Sequence, residues 1–202
     1  MTEIRKATFV PLIRTAIDDI VPGNITDSFK ENTDSELWQA AQHAATELSM
    51  ELPLNLLDET REAKTGTSDG NRGSARCDLP DHFLRFVRLD GTGFAGPLYE
   101  LMEPGSDAEK MQRSVWSRGK ATKPKATIGY LNGKKILIWW PGSVQNVQLD
   151  YIKAPTEENN TITCSIRDEA LRFVIYRAAS IFFEGKKEET IAEKFRNLST
   201  NY

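Results

Sequence analysis

Apolar positions along this chain change period several times, and the changes mark out its elements. Val10, Ile13, Ile17 and Ile20 recur at helical spacing, the signature of a helix with one buried face. Pro11 places the start of the regular helix near itself, because proline lacks the N–H that a helix interior needs. Pro22-Gly23-Asn24 is expected to end it. Asp34 and Ser35 offer N-caps for a second helix, whose buried face is Leu37, Ala41, Ala44, Ala45 and Leu48 and which Pro53 stops. The two are expected to form an antiparallel pair over residues 1–54, with the alanines letting the backbones approach closely.

Periodicity then vanishes. Residues 58–76, DETREAKTGTSDGNRGSAR, are glycine-rich, charged and almost free of apolar side chains, which reads as an exposed loop excursion. It is either a solvated loop or an arm that docks on a neighbouring subunit through Arg61, Lys64, Arg72 and Arg76. A β-rich region is expected over 79–155. Leu79-Pro80-Asp81-His82 turns into a strand ending near Leu89, glycines at 91, 93 and 96 break it, and a second strand covers Leu98 to Met102. Pro104-Gly105 and the pair Ser106 and Glu109 fit a capping box for a short helix over 106–113.

The centre of the region is ATIGYLNGKKILIWWPGSVQNVQLDYIKA, residues 126–154. Asn132-Gly133 between two β-prone runs is the strongest short-range hairpin signal, since both residues tolerate the positive φ of a type I′ turn. A third run, Val147 to Ile152, makes this an expected three-stranded antiparallel meander that helices must cover. A polar linker over 155–163 leads to Ser165-Ile166-Arg167-Asp168, a second capping signal. The helix after it buries Leu171, Val174, Ala178, Ile181 and Phe182 and ends in a left-handed Gly185. A last helix carries Ile191, Phe195 and Leu198 within the C-terminal helical stretch 165–198. The fold class that follows is α+β: one domain of 202 residues, a helical bundle with an inserted small antiparallel β-sheet.

Composition narrows the function. A chain with 39% hydrophobic residues can bury one substantial core, and 26 basic against 29 acidic residues, a net charge of −3, argue against a nucleic-acid binder working through a strongly basic surface. The window RGKATKPK is the most basic, so Arg118, Lys120, Lys123 and Lys125 are the candidates for weak contact with a phosphate backbone, or they line a solvated loop. Cys77 and Cys164 are too isolated for a zinc knuckle or a disulfide framework and read as free thiols in a reducing compartment. MTEIRKATFV lacks the apolar run of a secretory signal and no segment approaches a membrane span, so the expected place of synthesis is a cytoplasm.

Catalytic chemistry finds little to stand on. His43 lies among helical alanines and His82 in a turn, GTGFAG precedes a strand instead of a helix, and neither cysteine has a base beside it. No catalytic, cofactor-binding or metal-ligating residue is assigned, and the protein is not expected to be an enzyme. Trp139-Trp140 is a different kind of signal. Adjacent strand residues point to opposite faces, so one ring leaves the core side. It could meet another subunit, lie under this chain's own helices, or stack on a ligand.

Taken in order, the segments resemble those of the head-tail adaptor or connector proteins of tailed bacteriophages. TFVPLIRTAIDDI with the helix from Asp34-Ser35-Glu36-Leu37 looks like the family's opening helix pair, and CDLPDHFLR is similar to its leucine-proline turn into the sheet. ILIWWPG and VQLDYIKAPT look like its closing strands, and EALRFVIYRAA is similar to its late helix. The resemblance implies a virion protein made in a host cytoplasm, present as a ring of about a dozen copies beneath the portal. Its implied partners are itself, the portal protein, other ring or tail proteins, and genomic DNA passing without tight binding; no cofactor and no membrane are implied. The chain departs from the family in its long 58–76 stretch and in its short tail after Leu198. Other readings are a different tail-completion ring protein, a small metal-dependent enzyme using scattered carboxylates, and a DNA-binding module using the 118–125 run.

Overall fold

The computed structural model describes residues 1–21, 33–70 and 73–201. The chain divides into two compact units, one of Met1–Asp58 with Lys153–Tyr202 and one of Glu59–Ile152.

The first unit is built on helices from both ends of the chain: α1 (Lys6–Ile20), α2 (Thr33–Glu51), α4 (Leu171–Gly185) and α5 (Glu189–Thr200). α4 is the central one, packing against α1, α2 and α5. Its sequence explains the position, because Phe173, Val174, Ala178, Ala179, Phe182 and Phe183 bury more than one stripe. Ala41, Ala44 and Ala45 of α2 are completely buried, as small residues at a close helix contact should be. Phe183 stacks on Phe195 of α5 at 5.7 Å between ring centroids. A three-stranded antiparallel sheet in the order β1-β10-β9 completes the unit: β1 (Thr2–Arg5), β9 (Thr156–Glu158) and β10 (Thr161–Cys164). Ile4 pairs with Ile162, and both are buried.

The second unit holds two sheets. One runs β3-β4-β7-β6, from β3 (Thr67–Asp69), β4 (Ser74–Asp78), β6 (Lys125–Leu131) and β7 (Lys134–Trp140); the other runs β2-β8-β5, from β2 (Thr60–Thr65), β5 (Phe83–Gly91) and β8 (Asn146–Lys153). Ala75, Ala126, Leu137 and Trp139 from the first sheet and Leu89, Val147, Leu149 and Tyr151 from the second form one hydrophobic cluster. A short helix, α3 (Asp107–Met111), lies in the connection between β5 and β6.

Several expectations hold. Asn132 and Gly133 turn the β6–β7 hairpin with φ of 51° and 79°. Ser106 caps α3 by accepting from the Glu109 N–H, and the Glu109 carboxylate accepts from Gly105 N.

The fold class does not hold. Strands run from residue 2 to residue 164 in three antiparallel sheets, so this is a mixed α/β chain and not a helical bundle carrying one small inserted sheet. Residues 58–76 are not an excursion, because β2, β3 and most of β4 lie there. β2 has no apolar alternation to announce it, yet all six of its residues pair with β8. β8 is in turn not the third strand of a meander: it leaves β7 for the other sheet. Leu98 and Met102 make isolated bridges to Leu89 and Thr127 in place of a second strand. The polar linker contains the β9–β10 hairpin, turned by Asn159 and Asn160 at φ 51° and 59°. Ser165 does not cap α4; its hydroxyl donates to the Lys153 carbonyl, and a 3-10 turn at Asp168–Ala170 leads in. The left-handed residue after α4 is Lys187 at φ 62°, while Gly185 stays helical. α1 begins five residues before Pro11, which sits inside it. The expected stop at Pro22-Gly23-Asn24 lies outside the described residues.

Candidate interaction surfaces

Both tryptophans of β7 are taken up by the chain itself. Trp139 is fully buried, its indole N–H donates to the Val144 carbonyl at 2.7 Å, and its ring lies where a Cβ on Gly66 would have to be. Trp140, on the opposite face of the strand, is buried too, and its indole N–H has no partner among the described residues. Of the three readings open for this pair, cover by the chain itself is the one the burial supports, and neither ring is left exposed for another subunit or a ligand. The physical reason is that both faces of β7 are covered, so the alternation that forces one residue off the core does not force it into water.

Arg61 and Lys64 are held on β2. In register Arg61 stands opposite Asp150 of the central strand β8, and its Nε and Nη2 donate to the two oxygens of that buried carboxylate, each at 3.0 Å. From β5, on the other side of β8, Arg88 closes on the same carboxylate at 2.8 Å. One acid therefore fastens three strands. Arg61 is held charged chiefly by its hydrogen bond to Asp150, which raises its pKa. For Arg88 the leading cause of the same upward shift is a hydrogen bond to Tyr99. Three residues after Arg61, Lys64 donates to Glu62, whose other oxygen accepts from the Tyr151 hydroxyl. Burial is the main reason the Tyr151 phenol is raised, with the Glu62 charge adding to it. Sequence reading passed over Asp150 because a lone acid in an alternating run looks solvent-facing. The signal that could have found it is the run of apolar neighbours on both sides, Leu149 and Tyr151-Ile152, which marks a strand buried on two faces.

Arg76 is exposed on β4, and Arg72 lies outside the described residues. The basic window separates into parts. Arg118 folds back over Gly73, close enough that a Cβ there would strike the guanidinium, and its buried Nε has no hydrogen-bond partner among the described residues. Lys120 and Lys123 are exposed at a tight turn closed by their own backbones, and Lys125 opens β6 half-buried. Lys123 and Lys125 line an open depression of about 540 Å³ with Tyr99 and Glu100. Such a surface offers two or three cations beside an acid.

The most conspicuous surface feature was not anticipated. From α3 to β6 the chain presents Met111, Val115 and Trp116, the last 93% exposed. The segment is pinned from below: the buried Gln112 side chain donates to Ala108 O at 2.9 Å and accepts from Gly119 N at 2.8 Å, and the Ser117 hydroxyl reaches back to Met111 O. Tyr99 and Tyr130 of the same unit are also largely exposed.

His43 and His82 are both exposed, and among the described residues no group of three or more His, Cys, Asp or Glu is arranged to hold a metal ion. Cys77 and Cys164 are free thiols, each pushed up to about 11, chiefly by burial. No described helix is long and apolar enough to cross a membrane. No protein-family model matches the chain, and no curated protein matches it either.

Proposed function

We propose that the chain is a structural subunit of a virion, a ring-forming component of the head-tail connector of a tailed phage that extends the DNA channel beneath the portal and offers a platform to tail components. The reading is supported by the order of segments that resemble that family, and the observation that carries it is the exposed apolar set Tyr99, Met111, Val115, Trp116 and Tyr130 on the strand-rich unit. Met111, Val115 and Trp116 lie close together along one segment, and clustered apolar side chains left in water mark surface that is covered in a larger assembly. The small, partly neutralised cationic surface at Lys120 and Lys123 suits a wall along which DNA slides without sticking.

The test has two arms. Mass measurement and negative-stain imaging of the purified protein, alone and with portal-bearing capsids, should show rings or saturable attachment to the portal vertex. Duplex DNA should bind only weakly at physiological salt in a polarisation assay. A tight, salt-resistant DNA complex, or turnover of a small molecule with added Mg²⁺ or Mn²⁺, overturns the proposal.

A further inference from the structure

We propose that Asn132 is a site of spontaneous covalent modification, where the side-chain amide closes onto the Gly133 nitrogen and leaves aspartate or isoaspartate at the tip of the β6–β7 hairpin. The proposal goes beyond the connector reading and stands without it.

Asn132 is the only asparagine followed by glycine in the chain, and both residues are exposed. Leu131 and Lys134 close the ladder on either side, which leaves the Gly133 N–H outside the strand pairing. Glycine has no side chain to shield that nitrogen from the Asn132 Cγ, and a Cβ on Gly133 would meet nothing within 4 Å, so there is room for a ring to form.

The step needs water and no other reactant. The Gly133 nitrogen gives up its proton and bonds to Asn132 Cγ, the Cγ–Nδ2 bond breaks, and Nδ2 leaves as ammonia with that proton, giving a cyclic imide. Water then opens the imide at one of its two carbonyls. Opening at Cγ gives aspartate; opening at the backbone carbonyl gives isoaspartate, in which the chain runs through Cβ and Cγ. Either product adds a negative charge between exposed Leu131 and exposed Lys134 and Lys135.

The fold sets the rate. Asn132 is held at φ 51° by the turn, so the Gly133 nitrogen reaches Cγ only when the terminal Leu131–Lys134 pair opens. Opening the exposed end of a ladder costs little, so the reaction is slower than in an unfolded chain and still proceeds in the native one. The β9–β10 hairpin supplies an internal comparison. Asn159 has the same φ of 51° and is also exposed, but the residue after it is Asn160, whose side chain crowds the nitrogen and whose carbonyl accepts from Lys6 N at 2.9 Å. The two products also differ in fit. Aspartate before glycine still suits a type I′ turn, whereas the extra backbone carbon of isoaspartate is too long for a two-residue loop and loosens the adjoining ends of β6 and β7.

The experiment uses the full chain, aged at mildly alkaline pH below its melting temperature, with and without urea. Peptide mapping by mass spectrometry should find a gain of about 1 Da at Asn132, asparagine being the thermolabile residue here, and enzymatic methylation of the free α-carboxylate should identify the isoaspartate fraction. Conversion of native Asn132 should be roughly tenfold or more faster than that of Asn159, and roughly tenfold slower than that of Asn132 in urea. Asn132→Gly keeps a glycine-glycine turn, so it should show no mass gain in that peptide and no fall in Tm on ageing. Asn132→Asp, made directly, should melt close to the fresh protein and above the isoaspartate form. No conversion of native Asn132 while the chain in urea converts fully, or equal conversion of Asn159, overturns the site. An equal fall in Tm for aged Asn132→Gly overturns the loosening of the hairpin.

Discussion

Replacing Asp150 with asparagine keeps the shape of the side chain and removes the charge that Arg61 and Arg88 share. The carboxylate is 1% exposed and accepts from both guanidiniums, so the variant should lose about 2–3 kcal/mol, the cost of breaking a buried charge-assisted cluster. Urea unfolding reads it as a lower midpoint with unchanged slope. Arg61→Ala should cost much less, because its head group lies in water and leaves Asp150 still paired with Arg88. Equal losses would mean that the carboxylate is not the anchor. At the cysteines stability depends on pH. Burial lifts both thiols from 9.0 to about 11, so their contribution to stability is complete below pH 9 and is lost as pH rises through about 11. At pH 8 a native thiol holds about a hundredfold less thiolate than an unfolded one. Alkylation should therefore be slow in buffer and fast in denaturant, and fast labelling of the native chain would contradict the burial.

Two glycines separate the demands of a turn from the demands of a crossing. Gly133 needs its left-handed φ of 79° but has open space around it, so Gly133→Ala should cost about 1 kcal/mol through backbone strain alone. At Gly142 a Cβ would strike the Ser74 carbonyl, and the Gly142 N–H donates to Gly73 O at 2.7 Å. Gly142→Ala must push β7 away from the start of β4, and its fall in Tm should exceed that of Gly133→Ala. The same elements show what could be read in advance. Asn132-Gly133 was legible because a two-residue turn is specified by the residues inside it. β2 was not, because Arg61, Glu62 and Lys64 become strand residues only through partners about 90 positions away on β8. Trp116 was passed over for a related reason: no local rule says whether a tryptophan between serine and valine turns inward.

At the scale of the molecule, the chain leaves the helical unit at Asp58 and returns at Lys153, and both ends meet the same residue. Asp58 N donates to Ser165 O at 2.6 Å, and the Ser165 hydroxyl donates to Lys153 O. Excising 59–152 and joining the ends through a few glycines and serines should therefore leave a chain that unfolds cooperatively and keeps its helical circular dichroism. A non-cooperative melt would show that the helical unit cannot stand by itself. The buried stripe on α2, the capping of α3 and the Asn-Gly hairpin were set by neighbours within a turn or two of each residue, and the sequence alone determined them; on α5 only Phe195 of the expected Ile191, Phe195 and Leu198 is buried, beside Ala192 and Ser199. Which strands share a sheet, the burial of both β7 tryptophans and the pairing of Asp150 were decided only in three dimensions. Strand partners and charge partners are chosen by contacts between distant segments, and period and composition carry no record of distance.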